Sequence, residues 1–388
     1  MSKKIGVLLV GMNGSVGNTL IAGCLAARMK ELPVYGMITE MEAFSHIAFP
    51  DWRDFEFSGW DIDQRSALEV AYANEIVPRS FVADLEKELS VLHPLSGVLT
   101  QSDYYFQEKQ SRSTKQFSLL ELLECLEHDI ADIKKDRSLD TCYVVNVSSP
   151  SKAEIRDPAA IDRVELERMI DSNNPAIDSS VLYALAALRN GCGFVDFTSS
   201  QTLELKGLQQ ISQYNNLPIA GRDGATGETS LKAMLSEFLL KRNLRVTGWF
   251  STNILGNNDG KVLSTQGHGS TKVTDKKSVA PDILGYSDFD NLVNIEYYSP
   301  RGDNKEAWNV IDFKGWLGLD MSMRIDWQGR DSILAAPMIL DLVRHLSYSH
   351  DRGEKGLIHH LGIYFKHPIG SRIRGFSEAY RSLIDHYV

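Results

Sequence analysis

The sequence has few of the features that mark secreted and membrane proteins. Its four cysteines are scattered over 388 residues, without a C-x-x-C pair or a histidine at zinc-ligand spacing, as is typical of a protein in a reducing cytosol. The apolar start Ile5–Val10 is short and runs into Gly11 rather than a cleavage site. No stretch approaches the roughly 18 apolar residues of a membrane span. We therefore expect a soluble, cytoplasmic protein with no membrane partner.

Positive charge is also scarce. Lysine and arginine number 41 against 51 aspartates and glutamates, which gives a net charge of −10. Such a chain is a poor partner for nucleic acid, so any phosphate that it binds should be bound locally. With 43% hydrophobic residues and no internal repeat, low-complexity tract or Gly/Ser linker, the length predicts two or three globular domains.

Strands and helices alternate along the first half of the chain. Strands are predicted at Ile5–Val10, Val34–Thr39, Cys142–Val147 and Gly193–Phe197, with amphipathic helices between them, one of them capped by Asp178. This alternation predicts an α/β fold with a doubly wound, parallel, Rossmann-like sheet whose ligand lies at the carboxyl ends of the strands.

The middle of the chain has a different pattern. From about Val246 the strands alternate and carry aromatic residues, which favours a mixed or antiparallel sheet with one covered face. A helical pattern returns at Ile333–Leu346. We predict a discontinuous nucleotide-binding domain, residues 1–229 plus 335–388, with an inserted α+β domain at 230–334.

A glycine-rich turn follows the first strand. Residues 11–17 read Gly-Met-Asn-Gly-Ser-Val-Gly and open the first helix, where backbone N–H groups and the positive helix end can hold a pyrophosphate. Asn13 breaks the strict G-x-G-x-x-G pattern but tolerates a left-handed backbone. The acidic residue for the ribose is either Glu40 or Asp61, and a solvated loop carboxylate is the alternative for both.

Polar residues concentrate between residues 220 and 305. A Gly- and Thr-rich segment, 221–229, precedes a helix with apolar positions Leu231, Met234, Leu235 and Phe238, and predicts either an anion site or an ordinary capping turn. An Asn-rich segment, 253–261, follows a strand, and Lys272 and Lys276 are spaced at i and i+4. Lys366 lies among apolar residues, and burial would make it usable as a base.

Four segments of the chain resemble motifs of the L-myo-inositol 1-phosphate synthase family, in its shorter, prokaryotic branch. They are Asn-Ile-Leu-Gly-Asn-Asn-Asp-Gly at 253–260, Gly-Asp-Asn-Lys at 302–305, Ala-Ala-Pro-Met-Ile-Leu-Asp at 335–341 and Phe-Lys-His-Pro at 365–368. The order and spacing agree over nearly the whole chain.

The resemblance implies an NAD-binding Rossmann domain interrupted by a catalytic and tetramerisation domain, in a homotetramer. It also implies the conversion of D-glucose 6-phosphate to 1L-myo-inositol 1-phosphate without net redox change. In that reaction the C5 hydroxyl is oxidised, an enolate forms at C6 and attacks the C1 aldehyde, and the C5 ketone is reduced again. A divalent metal or a monovalent cation is left open, and no metal ligands are assigned.

The resemblance also implies roles for individual residues. Lys272 would take the C5 hydroxyl proton, Lys305 and Lys366 would serve enolisation and the aldol step, and Asp223 and Asp331 would position lysines. The substrate phosphate would be bound by Lys276, Thr226, Gly227 and Asn257. NAD would be bound by Gly11, Asn13, Gly14, Ser15, Val16, Gly17, Asp61, Ser148 and Asp259.

Two blocks, 145–152 and 196–202, depart from the pattern of eukaryotic members, which carry Asn-Gly-Ser-Pro-Gln-Asn-Thr where this chain has Asp-Phe-Thr-Ser-Ser-Gln-Thr at 196–202. Contacts to cofactor and substrate there stay open. The alternatives are an NAD-dependent oxidoreductase, a cyclase for a different sugar phosphate, and a non-enzymatic NAD sensor.

Overall fold

The structure is a computed structural model that describes residues 3–103, 105–107, 111–151, 155–256 and 271–388, and only the backbone of residues 271–276. The chain groups into two compact units. Unit 1 comprises Met1–Gly224 and Ala335–Gly370, and unit 2 comprises Ala225–Leu334 and Ser371–Val388. No helix in the described ranges is long and apolar enough to cross a membrane.

Unit 1 contains a seven-stranded sheet in which every described strand pair is parallel. Its strands are β1 (Ile5–Val10), β2 (Glu56–Asp61), β3 (Leu95–Ser96), β6 (Thr141–Asn146), β7 (Gly193–Asp196), β8 (Pro218–Gly221) and β13 (Gly356–Leu357). The order is β13-β8-β7-β6-β1-β2-β3, and β4 (Val98–Leu99) and β5 (Arg112–Ser113) pair separately. The strand order reverses between β1 and β6, which is where such sheets bind dinucleotides.

The helices of this unit follow the predicted pattern. They are α1 (Ser15–Met29), α2 (Ala67–Asn74), α3 (Arg79–Asp84), α4 (Glu86–Ser90), α5 (Leu119–Asp136), α6 (Arg163–Asp171), α7 (Ser179–Arg189), α8 (Lys206–Tyr214) and, from Ala335 on, α11 (Asp331–Asp351). Leu122, Leu126 and Ile130 of α5 are buried on one side, as their spacing predicts. Asp178 caps α7 by accepting a hydrogen bond from the Val181 backbone N–H.

The predicted strand Val34–Thr39 is wrong, because the second strand of the sheet is β2. Residues 34–37 are irregular, and a 3-10 turn covers Ile38–Glu40. The backbone N–H groups of Ile38 and Thr39 donate to the buried Asp341 carboxylate of α11 rather than to a neighbouring strand. This long-range acceptor competes with strand pairing and cannot be read from the local sequence.

Unit 2 contains the predicted mixed sheet. Its strands are β9 (Arg245–Leu255), β10 (Asp290–Tyr297), β11 (Lys305–Lys314) and β12 (Asp320–Gly329), in the order β10-β9-β11-β12. The β9–β10 pair is parallel, and the other two pairs are antiparallel. The helices are α9 (Glu228–Lys241), α10 (Thr271–Leu284) and α12 (Phe376–Tyr387). Residues 371–388 thus group with this unit, and Ser377 donates to Glu237 of α9.

Helix α9 does not bury the face that its apolar residues predict. Met234 and Phe238 are exposed, whereas Lys232 and Glu237 are buried. The Lys232 ammonium lies 3.4 Å from the Ser251 hydroxyl and above the Trp249 ring, and Glu237 accepts the hydrogen bonds from Ser377. Polar partners from distant segments therefore determine how this helix packs.

Two of the scattered cysteines meet in the fold. Cys142 of β6 and Cys192, which precedes β7, lie side by side with their Cα atoms 5.2 Å apart although 50 residues separate them in sequence. Sequence spacing did not predict this pair, because the pairing of two neighbouring parallel strands brings it together.

Candidate active site

The glycine-rich turn passes close to two strand ends of unit 1. The Gly11 and Met12 N–H groups donate to the Trp60 carbonyl of β2. Gly11 has a φ of +90°, and a Cβ there would lie 3.1 Å from the backbone of Ser148, just beyond β6. A Cβ on Gly17 would lie 2.6 Å from the Gly11 carbonyl oxygen. Side chains at Gly11 and Gly17 would therefore collide with the backbone of the turn. Glycine at both positions leaves room for a pyrophosphate beside the start of α1, and we call residues 11–17 the glycine cradle.

Asn13 and Asp61 are connected in this cradle. The Asp61 carboxylate accepts hydrogen bonds from the backbone N–H groups of Asn13 at 2.8 Å and Asp63 at 2.9 Å. The Asn13 amide donates to the carbonyls of Asp63 and Arg65. Burial raises the pKa of Asp61, and the two backbone donors oppose this effect. The departure from glycine at position 13 thus ties the turn to the end of β2.

Glu40, the other candidate for the ribose, lies elsewhere in unit 1. Its carboxylate forms an ion pair with Arg344 of α11. Arg344 also donates to the Thr39 hydroxyl and the Pro50 carbonyl. Glu40 thus helps to hold the irregular segment that follows α1, whereas Asp61 contacts the glycine-rich turn. Asp61 stays the predicted ribose ligand.

Ser148 lies across from the glycine-rich turn. Its backbone N–H and hydroxyl donate to the Asn146 side-chain carbonyl at 3.2 and 2.7 Å. The predicted cofactor residues of the turn (Gly11, Asn13, Gly14, Ser15, Val16 and Gly17), together with Asp61 and Ser148, therefore gather at the carboxyl edge of β1, β2 and β6. The cradle, the helix start and the carboxylate fit a dinucleotide such as NAD.

Lys366 and Asp223 form an ion pair in unit 1 although 143 residues separate them. The Lys366 ammonium donates to the Asp223 carboxylate at 2.6 Å, and its backbone N–H donates to the Asp223 carbonyl at 2.7 Å. Asp223 is buried, and the Lys366 side chain is 14% exposed. The pair follows the end of β8, at the same carboxyl edge of the sheet.

Lys305 and Asp331 form a second pair, in unit 2. The ammonium of Lys305, at the start of β11, donates to the Asp331 carboxylate at 2.9 Å. Gly227 precedes α9 with a φ of +58°, and a Cβ there would lie 2.9 Å from the other Asp331 carboxylate oxygen. The Thr226-Gly227 turn is thus beside this pair, at a helix start that can bind an anion.

The sequence interpretation missed a buried lysine in unit 2. Lys232 is 3% exposed. Burial lowers its pKa, and the charge of Glu228 partly offsets this effect. Glu228 lies four residues before Lys232, which is a local signal that the two side chains share a helix face. The apolar residues of α9 predicted instead that another face of the helix is buried.

The structure describes no side chain for four of the predicted site residues. Nothing in the structure describes Asn257 and Asp259. The backbone of α10 includes Lys272 and Lys276, one helical turn apart as predicted, but their side chains are also outside the described residues.

The sheet order, the glycine cradle and the lysine–aspartate pairs define an NAD-binding α/β enzyme. The myo-inositol-1-phosphate synthase family matches residues 5–380. Inositol-3-phosphate synthase 1 of Bacteroides thetaiotaomicron is 33% identical, over 94% of this chain and 90% of its own length. The chain belongs to the myo-inositol-1-phosphate synthase family, as its motifs predict.

Two solved structures are similar to this fold. Inositol-3-phosphate synthase from Caenorhabditis elegans aligns with a TM-score of 0.89 at 22% identity, over 99% of this chain and 85% of the other. A myo-inositol-1-phosphate synthase-related protein from Thermotoga maritima aligns with a TM-score of 0.78 at 23% identity, over 98% and 97%. The predicted Rossmann-like α/β fold is confirmed.

Proposed function

We propose that the chain converts D-glucose 6-phosphate to 1L-myo-inositol 1-phosphate in an NAD-dependent, redox-neutral cyclisation. The Lys366–Asp223 pair at the carboxyl edge of the nucleotide-binding sheet is the observation that supports this most strongly. A simple dehydrogenase needs one group to take the hydroxyl proton. Cyclisation also needs proton transfer at a carbon and at the aldehyde oxygen, so further proton-transferring groups are required, and the Lys305–Asp331 pair offers one.

The two described lysines are proposed to act on the sugar oxygens. Each donates to one aspartate oxygen, which fixes the position of the ammonium. An ammonium fixed in this way stabilises an oxygen that gains negative charge, and then delivers a proton to it. In enolisation the neutral form of one of these lysines, Lys305 or Lys366, would take the C6 proton, and the resulting ammonium would return it to the C1 oxygen at ring closure. Asp331 and Asp223 would be their positioning residues.

The residues of the glycine cradle would hold NAD. The N–H groups at the start of α1 would bind the pyrophosphate, Asp61 would bind the ribose, and Ser148 would line the opposite side. Bound NAD supplies reversible hydride transfer, which lets oxidation and reduction cancel over the cycle. Asp259 is proposed for the same site from the family resemblance.

The substrate phosphate is proposed to bind at the start of α9. Thr226 and Gly227 lead into this helix, whose first N–H groups carry partial positive charge. The buried Glu228 in the first turn opposes an anion, so further positive charge is required. Lys276 and Asn257 are proposed to supply the remaining contacts.

We propose that unit 1 is the NAD-binding domain and that unit 2 is the catalytic and oligomerisation domain of a cytoplasmic homotetramer. Leu292, Phe250 and Val310 are in register across β10, β9 and β11. Leu292, Phe250 and the nearby Trp308 are exposed large apolar side chains. A ridge of this kind is typical of a protein–protein interface.

Size-exclusion chromatography with light scattering tests the tetramer. Trp308→Glu should shift the protein to smaller species. The control Tyr214→Glu, at a 78% exposed tyrosine of α8 in unit 1, should not. A wild-type monomer would contradict the proposed assembly.

Product identification tests the activity. The enzyme is incubated with excess glucose 6-phosphate and catalytic NAD+, and the product is identified by NMR while NADH is followed by absorbance. We expect inositol phosphate without accumulating NADH, and no product from Lys366→Ala. Stoichiometric NADH without inositol phosphate would instead identify a dehydrogenase. Turnover of another sugar phosphate alone would identify a different cyclase.

A further inference from the structure

Two neighbouring strands of unit 1 end in the same local motif. Asn146 ends β6, Asp196 ends β7, and the two residues are in register. The Asn146 side-chain carbonyl accepts hydrogen bonds from the N–H and hydroxyl of Ser148. One Asp196 oxygen, Oδ1, accepts hydrogen bonds from the N–H and hydroxyl of Thr198 at 3.2 and 2.9 Å. Asp196 thus occupies a position where the neighbouring strand uses an amide.

The second polar atoms of the Asn146 and Asp196 side chains differ in their contacts. The Asn146 amide nitrogen donates to the Ser180 hydroxyl at 2.9 Å. Asp196 is fully buried, and its Oδ2 has no hydrogen-bond partner among the described residues. An ionised oxygen in that place would carry a large desolvation cost, whereas a protonated carboxyl has nearly the shape and polarity of an amide.

The surrounding charges do not stabilise an ionised Asp196. Arg222 and Asp178 act on it with opposite signs, and Arg222 also forms an ion pair with Glu204. Burial is the largest effect and raises the pKa of Asp196 to about 8. The side chain that faces it in register from β6 is the neutral Asn146. At neutral pH the Asp196 carboxyl therefore retains its proton.

Thr198 connects Asp196 to the lysine–aspartate pair of unit 1. The Thr198 carbonyl accepts a hydrogen bond from the Asp223 N–H at 2.7 Å. Asp223 has a φ of +61°, a left-handed conformation that aspartate tolerates better than most residues and that neighbouring contacts stabilise here. The Thr198 contact is one of these, and the backbone hydrogen bond from Lys366 is another.

We propose that Asp196 is a positioning residue that, through Thr198, holds Asp223 in the geometry that it needs to pair with Lys366. Asp196 works there as an uncharged, asparagine-like group. When it loses its proton at alkaline pH, the buried negative charge disturbs the Thr198 turn and with it the pair. The activity readout of this inference rests on the proposed function, but its other readouts do not.

Kinetics of two variants across pH test the proposal. Asp196→Asn keeps both the acceptor and the uncharged second atom, so kcat at about pH 7 should stay within about twofold of wild type. Asp196→Ala removes the acceptor and should lower kcat about tenfold or more, with KM nearly unchanged. From about pH 7 to about pH 9 the ratio of Asp196→Asn to wild-type kcat should rise about tenfold, because only the wild type deprotonates. The control is Asp136→Asn, at an exposed aspartate at the end of α5. The ratio of its kcat to that of the wild type should not change with pH.

Two measurements do not depend on turnover. The infrared difference spectrum of wild type minus Asp196→Asn should show a protonated carboxyl band at neutral pH that disappears at alkaline pH. Hydrogen exchange at residues 222–224 should accelerate in Asp196→Ala but not in Asp196→Asn. If Asp196→Ala does not fold, Thr198→Val should show the same faster exchange.

The possible failures are distinguishable. Absence of the infrared band, a flat kcat ratio, or unchanged exchange in both Asp196→Ala and Thr198→Val would each overturn the positioning role. If the wild type makes no inositol phosphate, the proposed function fails, and the spectrum and the exchange rates still decide the role of Asp196.

Discussion

Replacement of Lys366 by alanine is expected to stop turnover and to destabilise unit 1. The ammonium donates at 2.6 Å to an aspartate that is 5% exposed. Removal of one partner from a buried ion pair costs about 3–5 kcal/mol, because the remaining charge stays buried. The Lys366 side chain is 14% exposed, so water should screen part of that cost, and we expect about 2–3 kcal/mol in the free energy of unfolding.

A double variant separates stability from chemistry. In Lys366→Met/Asp223→Asn neither charge remains buried, so most of the lost unfolding free energy should return. Turnover should stay at least about a hundredfold below wild type, since the proton donor is absent. NAD affinity should remain near the wild-type value in both variants, because the cofactor cradle is formed by residues on β1, β2 and β6.

Three assays are needed for this prediction: urea unfolding, calorimetric titration with NAD+, and product NMR after incubation with glucose 6-phosphate. Full activity of Lys366→Ala would refute its proposed catalytic role. A double variant as unstable as the single one would refute the argument that the destabilisation comes from an uncompensated Asp223.

Three further predictions concern other parts of the chain. Gly11→Ala should weaken NAD binding about tenfold or more, measured by calorimetric titration, because the new Cβ would lie 3.1 Å from the Ser148 backbone at a φ of +90°. Lys305→Ala should abolish inositol phosphate formation, followed by NMR, with NAD affinity unchanged. Burial raises the pKa of Asp341 to about 6 from its ordinary 3.8, so its proton stabilises the fold at low pH and is lost as pH rises through about 6. As pH rises from 3.8 to about 6, the unfolding free energy of the wild type should therefore fall relative to that of Asp341→Asn by about 1.4 kcal/mol per pH unit. A free-energy difference between the two proteins that does not vary with pH would contradict the raised pKa of Asp341.

Local sequence determines much of unit 1. The apolar run Ile5–Val10, the glycine turn and the following helix lie within one continuous segment, and each is predictable from its own residues. The strand predicted at Val34–Thr39 is wrong, because the backbone N–H of Ile38 donates to Asp341, about 300 residues away. Segments whose backbone is bound by distant side chains are where reasoning from periodicity fails.

The candidate site shows the same division. The residues of the glycine cradle are adjacent in sequence, and their spacing predicts the turn that the structure shows. The lysine–aspartate pairs depend on contacts between distant segments, so the residues alone suggested only lysines with unusual surroundings. Lys232 was missed because the exposed Met234 and Phe238 made the other face of α9 look like the core.

The pairing of Lys305 and Lys366 with aspartates limits what these two lysines contribute to binding an anionic sugar phosphate. Lys305 and Lys366 each donate to an aspartate, so neither pair adds net positive charge to its surroundings. Attraction of the substrate phosphate must then come from other groups, such as the N–H groups at the start of α9 and Lys276. The paired lysines are instead suited to hold a proton at a fixed place. Loss of Lys366 should accordingly lower kcat far more than it raises KM for glucose 6-phosphate, whereas loss of a phosphate ligand should do the reverse.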